Sequence, residues 1–81
     1  MMKARVYVSL KSTVLDPQGQ TIRAALAGHG YPQVSDVRQG KFFDITLAAT
    51  DPEKARREID AIAGDVLTNP VIEDYRVEIL E

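Results

Sequence analysis

Two adjacent carboxylates, Glu73 and Asp74, are the first residues whose types suggest acid–base chemistry. They precede an alternating run, Tyr75 to Ile79, that predicts a strand, and neighbouring residues of a strand point to opposite faces. The two carboxylates are therefore not expected to share a proton or a metal ion, and no nucleophile or second acid–base pair lies near them in the sequence. We interpret them as polar groups at the beginning of a strand.

Other reactive residue types are few. His29 is the single histidine and lies between two glycines, where it lacks the further N or S ligands of a zinc site and is better explained as a helix C-terminal residue. The absence of cysteine excludes a disulfide framework and a thiolate nucleophile. We predict no catalytic residue and no metal site on this chain.

Two glycine-containing stretches, "LDPQGQ" and "QGK", lack the spacing of known phosphate-binding loops. A helix that begins at Pro17 nevertheless offers free backbone amides, with Lys11 or Lys41 nearby, so an anion remains an alternative to a simple helix cap.

Composition describes a small globular domain. The chain has 81 residues, 44% hydrophobic content and a net charge of −2, which predicts one domain over 1–81 and gives no basic footprint for nucleic acid. No signal peptide or membrane span is recognisable, so we expect a cytoplasmic protein. A core this small, without disulfides or metal, favours association into a homodimer or higher homo-oligomer.

The first half of the chain predicts a strand, a helix and a second strand. The run from Arg5 to Lys11 alternates with the period of a half-buried strand. Asp16 and Pro17 suit the N-cap and first position of a helix of about three turns, which ends at 28–30. Val34 and Val37 then predict a short strand that ends in a hairpin tip at Gln39-Gly40.

The second half repeats this order. Phe43, Ile45 and Leu47 alternate as the return strand. Asp51-Pro52, or Thr50 with Glu53 as a capping box, predicts a second helix. Asn69-Pro70 ends that helix, because the residue before proline is disfavoured in the α region. Tyr75 to Ile79 forms the closing strand.

The order βαββαβ predicts an α+β fold, the ferredoxin-like plait, with a four-stranded antiparallel sheet and both helices on one face. The other face would then be open, and large apolar groups on an open face usually indicate a partner. We therefore predict self-association through Tyr7 and Phe42, although scattered surface aromatics are also common. The predicted open face carries Arg5, Tyr7, Ser9, Lys11, Phe42, Asp44, Thr46, Arg76, Glu78 and Leu80.

Three short motifs carry a family resemblance. They are Leu15-Asp16-Pro17-Gln18-Gly19, Arg38-x-Gly40-Lys41 and Leu67-x-Asn69-Pro70-x-Ile72-Glu73-Asp74-Tyr75. In this order the chain resembles, from Lys3 to Leu80, the PurS family of small subunits of phosphoribosylformylglycinamidine (FGAM) synthase.

The resemblance implies a non-catalytic subunit of an ATP-dependent C–N ligase in purine biosynthesis. That enzyme converts formylglycinamide ribonucleotide, glutamine and ATP to formylglycinamidine ribonucleotide. The implied partners are a glutaminase subunit and a large ATP-dependent synthetase subunit, which holds the ATP and magnesium. The small subunit would bridge the two and assist ammonia transfer. On this basis we expect loops to contact the larger subunits through Asp16, Gln18, Gly19, Arg38, Lys41, Asn69 and Glu73.

The alternative function is a small-molecule-sensing module of the ACT type, which shares the βαββαβ plan. Such a module requires a glycine-rich loop after the first strand, whereas "KSTVLDPQG" has its glycine only later. An RNA-binding sheet is disfavoured, because the chain lacks the RNP1 pattern and a basic face.

Overall fold

The computed structural model describes residues 1–48 and 51–80. Along the chain these form β1 (Met2–Leu10), α1 (Pro17–Gly28), β2 (Gly40–Leu47), α2 (Pro52–Ile62) and β3 (Glu73–Ile79). None of the helices in those ranges is both long enough and apolar enough to cross a membrane.

Both predicted Asp-Pro helix starts are confirmed. The carboxylate of Asp16 accepts the amide N–H of Gly19, and that of Asp51 accepts the amide N–H of Glu53. The capping-box alternative involves Thr50, which lies outside the described residues. A five-residue π-helical segment, Ala63–Leu67, continues α2, so helical structure ends before Pro70, as predicted.

The predicted end of α1 is confirmed as well. His29 is its C-cap residue, and Gly30 follows with a φ of 97°, a left-handed conformation that glycine adopts without steric cost.

The sheet is antiparallel, with β1 between β2 and β3. Val6 of β1 lies opposite Phe43 on one side and Val77 on the other, so alternate residues of the strands face a common core. Ile59 of α2 packs on this face and is 1% exposed. The alternation read from the sequence therefore assigns the correct residues to the core face.

The predicted four-stranded sheet is wrong: the described residues form three strands. The segment 31–39 around Val34 and Val37 contains no strand, and it runs directly into β2. Gly40 is not among the glycines with positive φ, so Gln39-Gly40 is no tight turn. Strand propensity depends on a neighbouring strand to pair with, and this segment does not fold back along β2.

The prediction that both helices cover one face of the sheet is also wrong. α2 packs against β1 and β3, whereas α1 buries only Gly19 of its twelve residues. The chain measures 50 Å along its longest axis. A nine-residue strand spans about 30 Å and a twelve-residue helix about 18 Å, so the two placed end to end account for that length. We call residues 11–39, which contain α1 and project beyond the sheet, the arm.

Candidate functional site

Four of the seven predicted subunit-contact residues line one cavity where the arm meets the sheet. A cavity of about 270 Å³ lies at this junction and is lined by Asp16, Gln18, Lys41 and Glu73 among others. Ser9 and Gln39 also line it, although the sequence predicts Ser9 on the open face and Gln39 at a hairpin tip. Gln39 reaches the cavity because of the position of the arm.

Asp16 is the central residue of the junction. It is 3% exposed, and its carboxylate accepts the amide N–H of Gln39 at 2.7 Å and that of Gly19 at 3.0 Å. These hydrogen bonds, the one from Gln39 first, lower the pKa of Asp16 below its ordinary value. The ionised carboxylate thus joins the start of α1 to the start of β2.

Gly19 is required by a close backbone approach. A Cβ atom at this position would lie 2.0 Å from the carbonyl oxygen of Val37, which is far inside van der Waals contact. The first turn of α1 therefore packs directly on the returning segment of the arm.

Arg38 holds the other side of the arm. Its guanidinium donates to the carbonyl oxygens of Lys11 and Val14, at 2.9 and 2.8 Å. The amide of Lys11 in turn donates to the carbonyl oxygen of Ile72 at 2.8 Å. Arg38 therefore closes the loop between β1 and α1, and a backbone hydrogen bond ties that loop to the entry of β3.

Glu73 connects β3 to the same end of the sheet. It accepts the amide N–H of Asn69 at 2.7 Å and lies 3.8 Å from the ammonium group of Lys41. Asn69 accepts the amide N–H of Val71 at 3.1 Å and so shapes the turn before β3. Asp74 is exposed, whereas Glu73 is half-buried, in agreement with the prediction that the two carboxylates diverge.

The junction is suited to recognition of a polar surface. The carboxylates of Asp16 and Glu73 already accept backbone hydrogen bonds, while Gln18 is exposed and the side chain of Lys41 is 56% exposed. The carboxylate at the start of α1 disfavours the anion alternative by like-charge repulsion. Within 1–48 and 51–80, no three His, Asp or Glu side chains are placed to hold a metal ion.

A second surface is the open face of the sheet, where Tyr7 and Phe42 lie as predicted. Phe42 is 55% exposed, and the guanidinium of Arg5 lies 4.5 Å from the centre of its ring. Arg5 also pairs with Asp44 at 2.7 Å, which lowers the pKa of that carboxyl and raises that of the guanidinium. Arg76 stacks over Tyr7 at 4.3 Å.

The open face therefore combines aromatic rings with charged groups that they contact. The hydroxyl of Tyr7 donates to Glu78 at 3.2 Å, and Arg5 and Asp44 form an ion pair. A partner that covers this face meets aromatic rings at its centre.

Comparison with known proteins identifies similar chains. A family model described as PurS: Phosphoribosylformylglycinamidine (FGAM) synthase matches residues 3–81. The FGAM synthase subunit PurS of Bacillus subtilis (strain 168) is 45% identical over 85 residues, which are 100% of this chain and 95% of that protein. The corresponding subunit of Mycobacterium leprae (strain TN) is 43% identical over 77 residues, with 95% and 94% covered.

Solved structures agree with these relatives. A chain in the structure of PurLQS from Thermotoga maritima is 33% identical with a TM-score of 0.89, covering 98% of this chain and 96% of that one. PurS of Methanocaldococcus jannaschii is 37% identical with a TM-score of 0.87, covering 100% and 98%. It is described as one of the subunits of formylglycinamide ribonucleotide amidotransferase in the purine biosynthetic pathway.

Proposed function

Because this chain belongs to the PurS family and is thus a subunit of FGAM synthase in purine biosynthesis, we propose that it joins the glutaminase and synthetase subunits. The observation that carries the proposal is the match over nearly the whole chain to a subunit found in a PurLQS assembly. The same relatives favour this function over the small-molecule-sensing alternative.

The chemistry of the enzyme explains why a bridging subunit is useful. Ammonia released from glutamine into water at neutral pH becomes ammonium and loses its nucleophilicity. A subunit that seals the path between two active sites therefore raises the rate by proximity and by exclusion of water. Such a role needs rigid contact surfaces and no reacting group on this chain.

The junction of arm and sheet is the surface we assign to the larger subunits. It combines the exposed ammonium group of Lys41 and the exposed amide of Gln18 with a backbone held in place by Asp16. We assign the open face around Tyr7 and Phe42 to contact between small subunits. ATP and magnesium belong to the synthetase subunit in this scheme, no cofactor is held by this chain, and the assembly works in the cytoplasm.

Reconstitution tests the bridging role. The chain is mixed with a glutaminase and a large synthetase subunit, and amidine formation is measured with glutamine and, separately, with added ammonia. We expect this chain to raise the glutamine-dependent rate strongly and the ammonia-dependent rate little, since free ammonia bypasses the transfer between subunits. Equal glutamine-dependent rates with and without the chain would refute the proposal.

A charge reversal at the junction tests the contact surface. Lys41→Glu should raise the concentration of this chain needed for half-maximal glutamine-dependent activity by about tenfold, as the loss of one good charged contact predicts. Lys54→Glu is the matched control, because Lys54 is an exposed residue of α2. If both variants behave like the unmodified chain, the junction is not the contact surface.

A further inference from the structure

We propose that the cavity at the junction is a binding site for a free α-amino acid whose side chain ends in a carboxamide. The cavity lies between the end of the sheet and the arm, and its lining combines an ammonium group, two carboxylates, two side-chain amides and an apolar floor. The proposal goes beyond the bridging function and is tested on the isolated chain, so it does not depend on that function.

Two oppositely charged side chains lie on either side of the cavity floor. Lys41 of β2 lies opposite Val8 of β1, and Glu73 of β3 lies opposite Leu10. Residues paired across neighbouring strands share a face of the sheet, and Val8 faces the core, so all four side chains lie on that face. The sheet therefore presents an ammonium group and a carboxylate across an apolar strip.

The two charges are loosely paired and leave room for a ligand. The Nζ atom of Lys41 lies 3.8 Å from Oε2 of Glu73, whereas a charge-assisted hydrogen bond between such groups measures about 2.7–2.9 Å. An ion pair that is exposed on one side contributes little stability, so both groups can exchange it for the charges of a ligand. An amino acid supplies both charges: its α-carboxylate pairs with Lys41 and its α-ammonium group with Glu73.

The charge of the cavity favours a zwitterion over a simple anion. Asp16 and Glu73 contribute carboxylates, and Lys41 contributes the ammonium group. An anion would be attracted by Lys41 but repelled by both carboxylates. A zwitterion turns its positive end towards the carboxylates and avoids this repulsion.

The arm contributes the groups that select the side chain of the ligand. Gln18 and Gln39 both line the cavity and are exposed. A primary amide carries a donor and an acceptor side by side, so it pairs with another primary amide through two hydrogen bonds. A carboxylate side chain lacks the donor and adds a negative charge. The methylene groups of a glutamine ligand would lie on the apolar floor formed by Val8 and Leu10.

The walls of the cavity are held in place by the chain itself. The carboxylate of Asp16 accepts the amide N–H groups of Gly19 and Gln39. Glu73 accepts the amide N–H of Asn69 with Oε1, so its Oε2 atom is left facing Lys41. Because these groups are ordered before a ligand arrives, binding costs little further ordering.

The volume of the cavity fits a ligand of amino-acid size. It is about 270 Å³, just below the range of about 300–1,000 Å³ that is usual for drug-sized ligands. A nucleotide is too large for this space, whereas an amino acid is not. A ligand this small should bind with a dissociation constant on the order of 1 mM.

Nuclear magnetic resonance of the nitrogen-15-labelled full chain tests the site, with glutamine as the probe. We expect the backbone amide resonances of Gln39, Gly40 and Glu73 to shift and to saturate, while that of Asp60 on α2 stays in place. Glutamate and norleucine, which has an apolar side chain of similar length, should each bind about tenfold more weakly or worse. The absence of saturable shifts at about twenty times the expected dissociation constant, or equal shifts with all three amino acids, would overturn the proposal.

A charge-neutralising variant locates the ligand. Glu73→Gln keeps an acceptor for the amide of Asn69 but removes the partner of the α-ammonium group, so glutamine should bind about tenfold more weakly. Asp74→Asn is the matched control, because it makes the same change of charge at the adjacent, exposed residue, which points to the other face. An equal loss of binding in both variants would mean that the ligand responds to overall charge and not to this cavity.

A second variant tests the selection of the side chain without touching a charged group. Gln18 is exposed, so Gln18→Leu should leave the chain folded, and we expect it to bind glutamine and norleucine equally. A variant that still prefers glutamine would overturn the role of this amide. A chain that binds no glutamine yet raises the glutamine-dependent rate on reconstitution would refute the site and leave the bridging function intact, so the two failures are distinguishable.

Discussion

At the scale of single residues, Asp16 links two parts of the chain that are distant in sequence. Its carboxylate caps α1 and also holds the amide of Gln39, so one buried side chain sets both the start of the arm's helix and the entry to β2. Removal of this carboxylate leaves two backbone amides without an acceptor. The loss of stability should therefore be larger than for an N-cap residue that accepts only from its own helix.

The lowered pKa of Asp16 predicts an acid-dependent loss of stability. Its folded-state pKa lies below the ordinary value of about 4, so its contribution is complete above about pH 5 and is lost as the pH falls through the folded-state pKa. Asp16→Asn does not titrate and retains only one acceptor oxygen. We expect urea unfolding at fixed protein concentration to find the variant less stable at neutral pH, with a difference that narrows towards pH 3.

The control for this experiment is Asp36→Asn. Asp36 is an exposed carboxylate of the same arm, so the variant reproduces the change in net charge without removing the cap. A stability difference between Asp16→Asn and the unmodified chain that stays constant with pH would show that the ionised carboxylate is not what stabilises the junction.

Gly19 offers a prediction that depends on shape alone. Gly19→Ala places a methyl group against the carbonyl of Val37 and should destabilise the chain by about 1–3 kcal/mol, the usual cost of overpacking. Gly28→Ala is the matched control in the same helix, because nothing lies within 4 Å of its added Cβ, and alanine there should be neutral or stabilising by up to about 1 kcal/mol. Thermal unfolding of the two variants compares the effects. Equal unfolding midpoints for the two variants would mean that the arm accommodates the added methyl group at Gly19 without loss of stability.

At the scale of secondary-structure elements, local sequence signals were sufficient where the deciding contacts are local. Asp16 and Asp51 each bond an amide within three residues, and proline follows each of them, so both helix starts were predicted correctly. The core face of β1 follows from strict alternation, because a strand with one buried face cannot shift by one residue without exposing it.

The errors arose where the deciding contact lies outside the segment. Val34 and Val37 have strand-forming side chains, but whether they pair depends on where the arm lies. The arm's position depends on contacts outside this segment, such as the hydrogen bond from the amide of Lys11 to the carbonyl oxygen of Ile72. The candidate junction residues were named from family motifs. Their distances from one another, and the participation of Gln39, required the structure.

At the scale of the whole molecule, one small chain offers two separate surfaces. The proposed function assigns the junction to the larger subunits and the open face to contact between small subunits. The two surfaces do not overlap, because the open face is one side of the sheet and the junction lies at its end. A chain with one small core can in this way contact several partners at once.

The open face predicts how small subunits associate with one another. Tyr7 lies at its centre between Phe42 and Arg76, and its hydroxyl bonds Glu78. Tyr7→Glu replaces the ring by a carboxylate next to Glu78, so apolar contact is lost and a charge must be desolvated when two faces meet. We expect sedimentation over a range of concentrations to show self-association weakened about tenfold or more. Ala61→Glu, an equal change of charge on the exposed side of α2, should leave self-association unaltered. An unchanged sedimentation profile for Tyr7→Glu would show that the aromatic layer does not join small subunits, and the open face would then be available to the larger ones.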